Sequence, residues 1–382
     1  MSPTKTGTTG PTPRKRRVTI DDLAGHLNLT KSTVSRALNG YTDISETTRL
    51  RVRRAADAMG YRPLSHAQAI RTGRVRSIGL VLQVSEHDGH RPFLAEFLAG
   101  VSAAASRADW TLTLATASSD EDKLTLLRGL CDQNKADGFI LPRTGQQDAR
   151  ADFLRAANIP FVLYGRTSNP EGCAWYDIAS EDSMKDAVCR LHALGHRRIG
   201  FVQGGAAYMY NALRLSGYCE GLKACGLPPA PELVRPAALN RAEGVAATRA
   251  LLALDTPPTA ILFAVDRAAL GAWAVADDLG LTIGRDLSVI SYDGIPEGAL
   301  MRPQLSTFSV DTRHAGERLA NLLIRRIRGE APEALREIGQ ATFLDRGSHG
   351  KPALTSEQLS DIVRANSIPT GGNPTCHSIE NC

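Results

Sequence analysis

Residues 31–39 concentrate small polar and basic side chains of the kinds that bind DNA. The set comprises Lys31, Ser32, Thr33, Ser35, Arg36 and Asn39, and Thr19 lies a short way before it. Lysine, arginine and serine in the first turns of a helix can reach base edges in the major groove, which suits Lys31, Ser32 and Arg36. The threonine, serine and asparagine side chains at the other four positions are placed for phosphate oxygens, which fix register without reading sequence. The alternative is a helical hairpin whose polar face meets only water.

A second group of charged side chains follows apolar runs that resemble buried strands. They are Arg143, Arg166, Asp266 and Asp293. Ligands of parallel α/β folds sit beyond the carboxyl ends of the strands, and charged groups that bind adjacent hydroxyls suit a polyol. Four aromatic residues are candidates to cover the apolar face of such a ligand: Phe93, Tyr164, Trp175 and Tyr176. A residue at such a position caps a helix or lies in a surface turn about as often as it binds a ligand. Asp266 in particular could cap the helix that follows it.

Motifs of catalysis and of cofactor binding are missing from the sequence. It contains no G-x-S-x-G, P-loop, G-x-G-x-x-G or H-E-x-x-H pattern, so no nucleophile or phosphate cradle can be assigned. The seven cysteines, at positions 131, 173, 189, 219, 225, 376 and 382, are odd in number and form no C-x-x-C pair. They are typical of reduced thiols rather than of a disulfide framework or a zinc site. We therefore expect no enzyme, no cofactor and no metal.

Three short helices between residues 18 and 62 would hold the first group of side chains. They are predicted over residues 20–27, 31–38 and 46–59, each preceded by a threonine or serine that can cap it. Their small core would consist of Leu23, Leu27, Val34, Leu38, Leu50, Val52, Ala55 and Met59. A helix, a tight turn and a second helix rich in small polar residues form the pattern of a helix-turn-helix. Residues 1–17 have almost no apolar side chains and are predicted to be a flexible basic arm.

The rest of the chain alternates between apolar runs and helical segments. Seven runs are predicted strands: 77–82, 111–115, 138–141, 160–164, 199–202, 259–265 and 287–292. Continuous apolar runs separated by helices predict parallel strands covered on both faces, and so many of them suit two doubly wound lobes. The predicted fold class is therefore a small all-α helix-turn-helix domain followed by α/β. Residues 63–76 would be a linker, 77–346 the two parallel-sheet lobes, and 347–382 a disordered or loosely packed tail, in which residues 356–365 could form an amphipathic turn or two.

Charge is divided unevenly along the chain. Through residue 76 there are 15 lysines and arginines against 5 acids, whereas the remainder carries 30 against 35. A basic head on a mildly acidic body indicates that the head meets a polyanion. The first 17 residues lack the apolar stretch of a signal peptide, and no run reaches the ~18 apolar residues of a membrane span. The sequence therefore predicts a cytoplasmic protein with no membrane contact.

Two stretches of the head closely resemble the LacI/GalR family of transcription regulators. One is residues 18–40, which include Thr33-Val34-Ser35-Arg36, and the other is Gly60-Tyr61-Arg62-Pro63 with Arg71-Thr72-Gly73 after it. Order and spacing continue to match as far as about Ser348. Landmarks in the body are Leu194-Gly195-His196-Arg197-Arg198-Ile199, Arg214-Leu215-Ser216-Gly217-Tyr218 and Val289-Ile290-Ser291-Tyr292-Asp293.

For the linker, the resemblance implies a hinge helix that folds on operator DNA in a dimer. In the family a leucine from each hinge wedges into the central minor-groove step, and Ile70 stands at that position. Isoleucine keeps the apolar bulk that kinking requires, although it is β-branched. Packing of Ile70 against the body is the alternative. Leu64 and Gln68 replace the usual asparagine and arginine, which weakens the case for contacts between hinge and phosphates.

For the body, the resemblance implies a sensor similar to periplasmic binding proteins. In sugar-responsive members the residues at Arg214 and Asp293 bind the effector. Gly165-Arg166 replaces an acid often found after the fourth strand, and the stretch from Tyr164 to Thr167 looks like members that sense glucosides. His196 lies in a turn before a strand, where we expect a structural role.

The expected function is sequence-specific DNA binding by a transcriptional regulator. Repression is the commoner mode in the family, and activation is the alternative. Its partners would be near-palindromic operator DNA, a small-molecule effector such as a sugar or glucoside, and a second copy of the chain. No leucine heptad is visible at the C-terminus, which favours a dimer over a tetramer. A sugar-binding protein without DNA function would instead show a signal peptide and no basic head.

Overall fold

The computed structural model describes residues 16, 18–62, 73–83 and 92–366 of the chain, apart from the side chains of residues 92, 93 and 120. The chain divides into two compact units, residues 1–75 and residues 76–382. The predicted basic arm, apart from Arg16, and most of the hinge, with Ile70, lie outside the described residues, and so does the side chain of Phe93. None of the described helices is long and apolar enough to cross a membrane.

The first unit contains three helices with the predicted bounds: α1 (Ile20–Leu27), α2 (Lys31–Leu38) and α3 (Glu46–Met59). Leu23, Val34 and Val52 have no exposed surface, and they form a core with small alanines from all three helices. The prediction was wrong for Leu50, which is 45% exposed. Leu50 precedes Val52 by two positions, so the two side chains leave α3 in different directions and only one can face the core.

The first lobe of the second unit is a parallel sheet with helices on both faces. Its elements in chain order are β1 (Ser77–Gln83), α4 (Pro92–Arg107), β2 (Thr111–Ala117), α5 (Asp120–Asp132), β3 (Gly138–Pro142), α6 (Ala149–Ala156), β4 (Phe161–Tyr164) and β5 (Ala174–Ile178). Alternate residues of the strands enter two separate apolar clusters, one on each face of the sheet.

The second lobe repeats this plan. It comprises α7 (Ser180–Ala193), β6 (Ile199–Val202), α8 (Met209–Ala224), β7 (Val234–Arg235), α9 (Arg241–Leu252), β8 (Ala260–Phe263), α10 (Asp266–Leu279), β9 (Ser288–Asp293) and β10 (Ser306–Ser309). The chain then returns to the first lobe through α11 (Thr312–Ile327) and β11 (Arg336–Gly339), and ends in the second lobe with β12 (Thr342–Leu344) and α12 (Ser356–Asn366). It therefore passes between the lobes three times.

The two sheets have equivalent strand orders, β11-β5-β4-β3-β1-β2 and β12-β10-β9-β8-β6-β7. Neighbouring strands are parallel except for β10 and β12. In each sheet the order reverses beside the first strand of the lobe, between β1 and β3 and between β6 and β8. Crevices at such switch points, beyond the carboxyl ends of the strands, are where α/β sheets bind ligands.

All seven predicted runs contain strands, and the predicted fold class is confirmed. The sequence did not reveal β5, β7, β10, β11 or β12, because they are short or carry polar residues within them. Strand β2 also differs from the prediction of strands covered on both faces. It lies at an edge of its sheet, and its Leu114 is 44% exposed.

The tail prediction is wrong for residues 347–366, which are folded onto the second lobe. Ser348 is fully buried, and its hydroxyl donates to the Val289 carbonyl at 2.6 Å and accepts from the Ser306 amide at 2.8 Å. Helix α12 buries Leu359 and Val363 in the core of the lobe. The amphipathic turns suggested at 356–365 are part of this helix, and its apolar stripe is ordered by the partner surface that the second lobe provides. Residues 367–382 lie outside the described part of the chain.

Candidate DNA-binding surface and ligand cleft

Two threonines predicted to contact phosphates are held at the starts of α1 and α2. The Thr19 hydroxyl accepts from the Asp22 amide at 3.2 Å, and the Thr19 amide donates to the Asp22 carboxylate at 2.8 Å, so the two residues form a capping box. Thr30 caps α2 by accepting from the Thr33 amide at 3.1 Å, and the hydroxyls of Thr30 and Thr33 lie 2.8 Å apart. These bonds satisfy backbone amides at the start of each helix and so fix where α1 and α2 begin.

The predicted base-reading side chains lie on the solvent-exposed face of α2. Lys31, Ser32 and Arg36 are exposed, whereas Val34 and Ala37 on the other face are fully buried. Lys31 Nζ lies 3.0 Å from Asp21 Oδ2, and Arg36 Nη2 lies 2.5 Å from an Asp43 carboxylate oxygen. Exposed ion pairs of this kind contribute only about 0–1 kcal/mol. A polyanion can therefore replace both carboxylates.

The remaining predicted contacts of the head are half-buried at the far end of α2. Asn39 donates to the Ser35 hydroxyl at 3.4 Å. On α3, Arg53 and Arg54 are exposed, but Arg51 donates to the Leu27 carbonyl at 2.9 Å and so completes the end of α1. Arg51 is thus exposed like Arg53 and Arg54, but it also has a structural bond.

In the second unit, Arg214 of α8 is the most constrained of the predicted ligand-binding residues. It is 8% exposed, and its guanidinium lies over the rings of Tyr292 and Tyr210, 3.9 Å and 4.7 Å from their centroids. One Nη donates to the Ala264 carbonyl, and the other lies 3.6 Å from Asp293 Oδ1. Its Nε is buried without an acceptor among the described residues. Arg214 is therefore fixed in position with one donor still to be satisfied.

Asp293 ends β9 at the same edge of the sheet. Its backbone has a φ of +130°, and Gly294 follows with a φ of +82°, so the chain turns sharply away from the strand. Burial among protein atoms raises the pKa of Asp293 to about 7, although the nearby charge of Arg214 opposes the rise. The carboxylate is therefore poised to change charge near neutral pH.

Asp266 does not contact the cleft, contrary to the prediction that it binds ligand. It has no exposed surface, and one oxygen accepts from the amides of Gly294 and Ile295 at 2.8 and 2.9 Å. The other accepts from the Thr307 hydroxyl at 2.7 Å. Asp266 begins α10 directly below the turn after β9, so it is a positioning residue that holds the backbone next to Asp293.

Arg166 joins the two lobes near their first crossing. Its Nε lies 2.5 Å from Asp177 on β5, and its Nη2 lies 2.7 Å from Glu181 on α7. Burial raises the pKa of Asp177, and the charge of Arg166 counteracts part of that rise. The other carboxylate oxygen of Glu181 is buried without a donor among the described residues. The structure therefore places Arg166 in an ion-pair network, where it orders the acids around it.

The aromatic candidates lie on opposite faces of the sheet, because successive side chains of a strand such as β5 point to opposite faces. Tyr176 and Tyr164 lie on one face of the sheet, where Tyr164 also stacks on Phe97 with centroids 5.5 Å apart. Trp175 lies on the opposite face and is covered by Arg336, 4.2 Å from its ring centroid. The prediction that Trp175 covers a ligand is therefore not supported by its position.

The two lobes are also joined by hydrogen bonds between loops at the ends of β3 and β6. The Met209 amide donates to the Thr144 carbonyl at 3.0 Å, and the Gln146 amide donates to the Ala207 carbonyl at 3.1 Å. Gly145 and Tyr208 form an antiparallel bridge between these two bonds. We call residues 144–146 and 206–209 the latch. It holds the loops together across the cleft.

A buried ion pair shapes the first-lobe side of the latch. Arg150 is paired with Asp148 at 2.6 Å and donates to the carbonyls of Pro142 and Arg143 at 3.1 and 3.2 Å. Arg143 has a φ of +52°, and its positive charge opposes a small part of the rise in the pKa of Asp293. The predicted candidate Arg143 is thus held in a strained backbone with its charge toward Asp293.

His196 has the expected structural role. It is buried at the opposite end of the sheet, where its ring nitrogens lie 2.8 Å from the Thr259 hydroxyl and 2.9 Å from the Gly350 carbonyl. Burial lowers its pKa, so the imidazole is neutral at pH 7. His196 therefore ties the folded tail to the core.

Several cleft residues were not predicted from the sequence. Asp177, Glu181, Tyr210 and Asn211 belong to this group. Asn211 accepts from the Gly204 amide at 2.8 Å, and Tyr210 accepts from the Gly205 amide at 3.0 Å. Tyr210 and Asn211 lie in the first turn of α8, one turn before Arg214, and this spacing is the sequence signal that would have identified them.

The charges around the cleft nearly balance. Three arginines, Arg143, Arg166 and Arg214, are accompanied by three acids, Asp177, Glu181 and Asp293. Paired charges with aromatic rings beside them suit an uncharged ligand that carries several hydroxyls. No cluster of candidate metal ligands occurs among the described residues.

Comparisons with known proteins find two family models that match this chain. Residues 19–64 match the family described as bacterial regulatory proteins, lacI family, and residues 188–349 match the periplasmic binding protein-like domain. The HTH-type transcriptional regulator AglR of Rhizobium meliloti (strain 1021) is 33% identical over 341 residues, which cover 87% of this chain and 94% of that protein.

Solved structures show the same architecture. The complex of the transcriptional regulator CelR with cellobiose is 29% identical, with a TM-score of 0.67, over 87% of this chain and 100% of that chain. The lac repressor dimer bound to operator and the anti-inducer ONPF shares the fold at 24% identity, with a TM-score of 0.72, over 88% of this chain and all of that chain. AglR and CelR are regulators rather than enzymes, in agreement with the sequence-based expectation.

Proposed function

Since the chain belongs to the LacI family of bacterial regulatory proteins, we propose that this transcriptional regulator is a repressor controlled by a sugar or glucoside. The observation that carries the proposal is the pairing of an exposed basic recognition helix with a cleft built around Arg214 and Asp293. It acts in the cytoplasm, where its DNA is. Activation from the same operator is the second candidate, and a transcription assay separates the two.

The DNA-binding proposal rests on α2 and its caps. Lys31, Ser32 and Arg36 read base edges in the major groove, because they are exposed on one face and their carboxylate partners are replaceable. The hydroxyl and amide groups of Thr19, Thr33, Ser35 and Asn39 contact phosphates at the ends of the helices. Ile70, which lies outside the described residues, provides the minor-groove wedge.

A homodimer would bring two such heads to one DNA duplex. Two copies related by a twofold axis read a near-palindromic operator with half-sites on one face of the DNA. The lac repressor, whose fold this chain shares, is a dimer on its operator. In the first lobe, Leu114 on the edge strand β2 and Leu126 on α5 are 44% and 36% exposed, which is consistent with an apolar surface for a second copy.

The effector proposal rests on the cleft. Arg214 and Asp293 bind adjacent hydroxyls of the sugar, and the free Nε of Arg214 supplies a donor. Tyr210 and Tyr292 place aromatic surface beside these groups. The cellobiose bound in the CelR structure supports a β-linked disaccharide as the first probe. Effector binding must favour one arrangement of the lobes by a few kcal/mol to switch operator affinity.

The proposal is tested in two steps with the full chain. Operator DNA is first selected from random duplexes, and binding is measured by fluorescence anisotropy; failure to enrich any sequence contradicts the DNA-binding assignment. Glucose, maltose, cellobiose and melibiose are then screened by thermal shift. A saccharide that raises Tm and also changes operator affinity supports the effector proposal. If none of a broad saccharide panel raises Tm, the proposed effector class is wrong.

A further inference from the structure

We infer that Cys189 and Cys225 are a redox-sensitive thiol pair, which forms a disulfide when the protein meets a hydroperoxide. Cys189 lies in α7, and Cys225 directly follows α8. Their sulfur atoms are 3.4 Å apart, and both side chains are half-buried, so an oxidant can reach them. The other described cysteines, at 131, 173 and 219, have no second thiol as a hydrogen-bond partner in the structure.

The packing of α7 against α8 brings the two sulfurs together. The backbones approach most closely at two glycines: a Cβ atom on Gly217 would lie 2.1 Å from the Glu181 carbonyl oxygen, and one on Gly221 would lie 3.1 Å from that of Lys185. Positions 181 and 185 on α7, and 217 and 221 on α8, are each four residues apart and share one face of their helix.

Cys189 and Cys225 continue these two rows by one more turn. The same register that places Gly217 on Glu181 and Gly221 on Lys185 therefore places the two thiols opposite each other. A disulfide needs a sulfur–sulfur distance of about 2.05 Å, so the two side chains must rotate about their torsions to close the remaining gap. The pair is thus set by the core of the lobe and not by a mobile surface loop.

The hydrogen bond between the thiols assigns them different roles. Cys225 donates to the sulfur of Cys189. Burial and the neighbouring sulfur raise the pKa of Cys225 to about 11, so this thiol keeps its proton at neutral pH. Because Cys225 keeps its proton, we assign the first reaction with the oxidant to Cys189 and the second to Cys225.

The chemistry balances with the hydroperoxide as the two-electron oxidant. The Cys189 thiolate attacks one peroxide oxygen, the O–O bond breaks, and the leaving oxygen departs as water or alcohol after taking up a proton. The sulfenic acid on Cys189 is then attacked by Cys225, the S–O bond breaks, and the oxygen leaves as water with the Cys225 proton. Both sulfurs are oxidised to the disulfide, and the peroxide is reduced.

The crosslink would restrict the unfolded chain rather than rebuild the folded lobe. It closes a loop that contains β6 and all of α8, and closing such a loop raises stability mainly by removing freedom from the unfolded state. Glu181 and Arg214 lie near the first turns of α7 and α8, away from the crosslinked ends. We therefore expect oxidation to stabilise the second lobe and to leave operator binding by the head unchanged.

The test treats the full chain with hydrogen peroxide and compares it with three variants, Cys189→Ser, Cys225→Ser and the control Cys219→Ser on the exposed face of α8. We expect the parent and the control to lose about 2 Da relative to the reduced chain, to yield a nonreduced peptide that joins residues 189 and 225, and to gain about 5 °C in Tm. Dithiothreitol should reverse each change.

The two serine variants at the pair should show neither the joined peptide nor the rise in Tm. The inference is overturned if the parent yields no 189–225 peptide after oxidation. It is also overturned if the only disulfides found join two chains or involve Cys219, Cys376 or Cys382. Since the readout is a peptide and a melting temperature, it does not depend on the operator or on the effector.

Discussion

The functional groups of the head and of the cleft are prepared in opposite ways. In the head, Lys31 and Arg36 stand in water and pair with carboxylates that are themselves about half or more exposed. In the cleft, Arg214 is nearly inaccessible, lies against two aromatic rings and donates to a backbone carbonyl. The head side chains are ordered when a partner arrives, whereas the cleft side chains are ordered before one does.

This difference follows from the two kinds of ligand. A polyphosphate duplex supplies many charges, so weak individual contacts add up and need little preparation. A neutral polyol offers only a few hydroxyls, so each contact must be held in advance to avoid an entropic cost at binding. The comparison predicts that the two sites respond differently to salt, to mutation and to pH.

The largest expected contrast is in salt dependence. Between 50 and 200 mM salt, operator affinity should fall by about 10³-fold or more, because 6–10 phosphate contacts release counterions on binding. Effector affinity should change by less than about 2-fold, since paired charges bind a neutral ligand. Fluorescence anisotropy and calorimetry over a salt series measure the two. Equal slopes would show that the cleft, too, binds a charged molecule.

Substitution of Arg214 should give the next largest effect. Arg214→Ala removes a buried charge that pairs with Asp293, and such changes cost about 2–5 kcal/mol, so effector affinity should fall about 100-fold. Operator affinity should stay within about 2-fold of the parent. The matched control is Arg198→Ala, which breaks an exposed pair with Glu232 at the surface of the same lobe. A folded Arg214→Ala variant that still responds to the sugar would exclude Arg214 from the effector site.

Substitution of Arg36 tests the head in the same way. Arg36→Ala should weaken operator binding by about 10–100-fold, because one bidentate contact to a base contributes about 1–3 kcal/mol. Thermal stability should change little, since the lost pair with Asp43 is exposed. The control is Arg364→Ala, which breaks an exposed ion pair with Asp255 in the other unit. If Arg36→Ala binds the selected operator as tightly as the parent does, Arg36 is not part of the DNA-binding surface.

The smallest predicted effect is a pH dependence confined to the cleft. The pKa of Asp293 is raised to about 7, so the carboxylate is mostly ionised at pH 8 and mostly protonated at pH 6. The ionised form accepts bonds from sugar hydroxyls, so effector affinity should fall by up to about 10-fold as pH falls from 8 to 6. Calorimetry on the parent and on Asp293→Asn measures it. If Asp293→Asn keeps the full pH dependence of effector affinity, the group that titrates is not Asp293.

Local signals in the sequence were enough to place the head. Capping threonines and a serine fixed all three helices at their observed bounds, since the bonds that begin a helix lie within four residues. Leu50 was misplaced because burial depends on which face of α3 meets α1 and α2, and that is a tertiary property.

The cleft was only partly predictable, because its residues are far apart in the chain. Arg214 and Asp293 were proposed from the family resemblance, and they do lie together. The bonds that Asp266 makes to Gly294 and Thr307, and the pairing of Arg166 with Glu181, depend on contacts between strands and lobes that no local pattern contains. Sequence reasoning therefore identified the three arginines and Asp293 of the site, but it missed Asp177 and Glu181 and did not show which groups support the others.

The latch between the loops after β3 and β6 affects how readily the lobes can separate at the cleft. Its backbone bonds, from the Met209 amide to Thr144 and from the Gln146 amide to Ala207, join the lobes beside the cleft. For the lobes to separate there, both bonds must break, so the time that a bound ligand stays in the cleft depends on these bonds as well as on its own contacts.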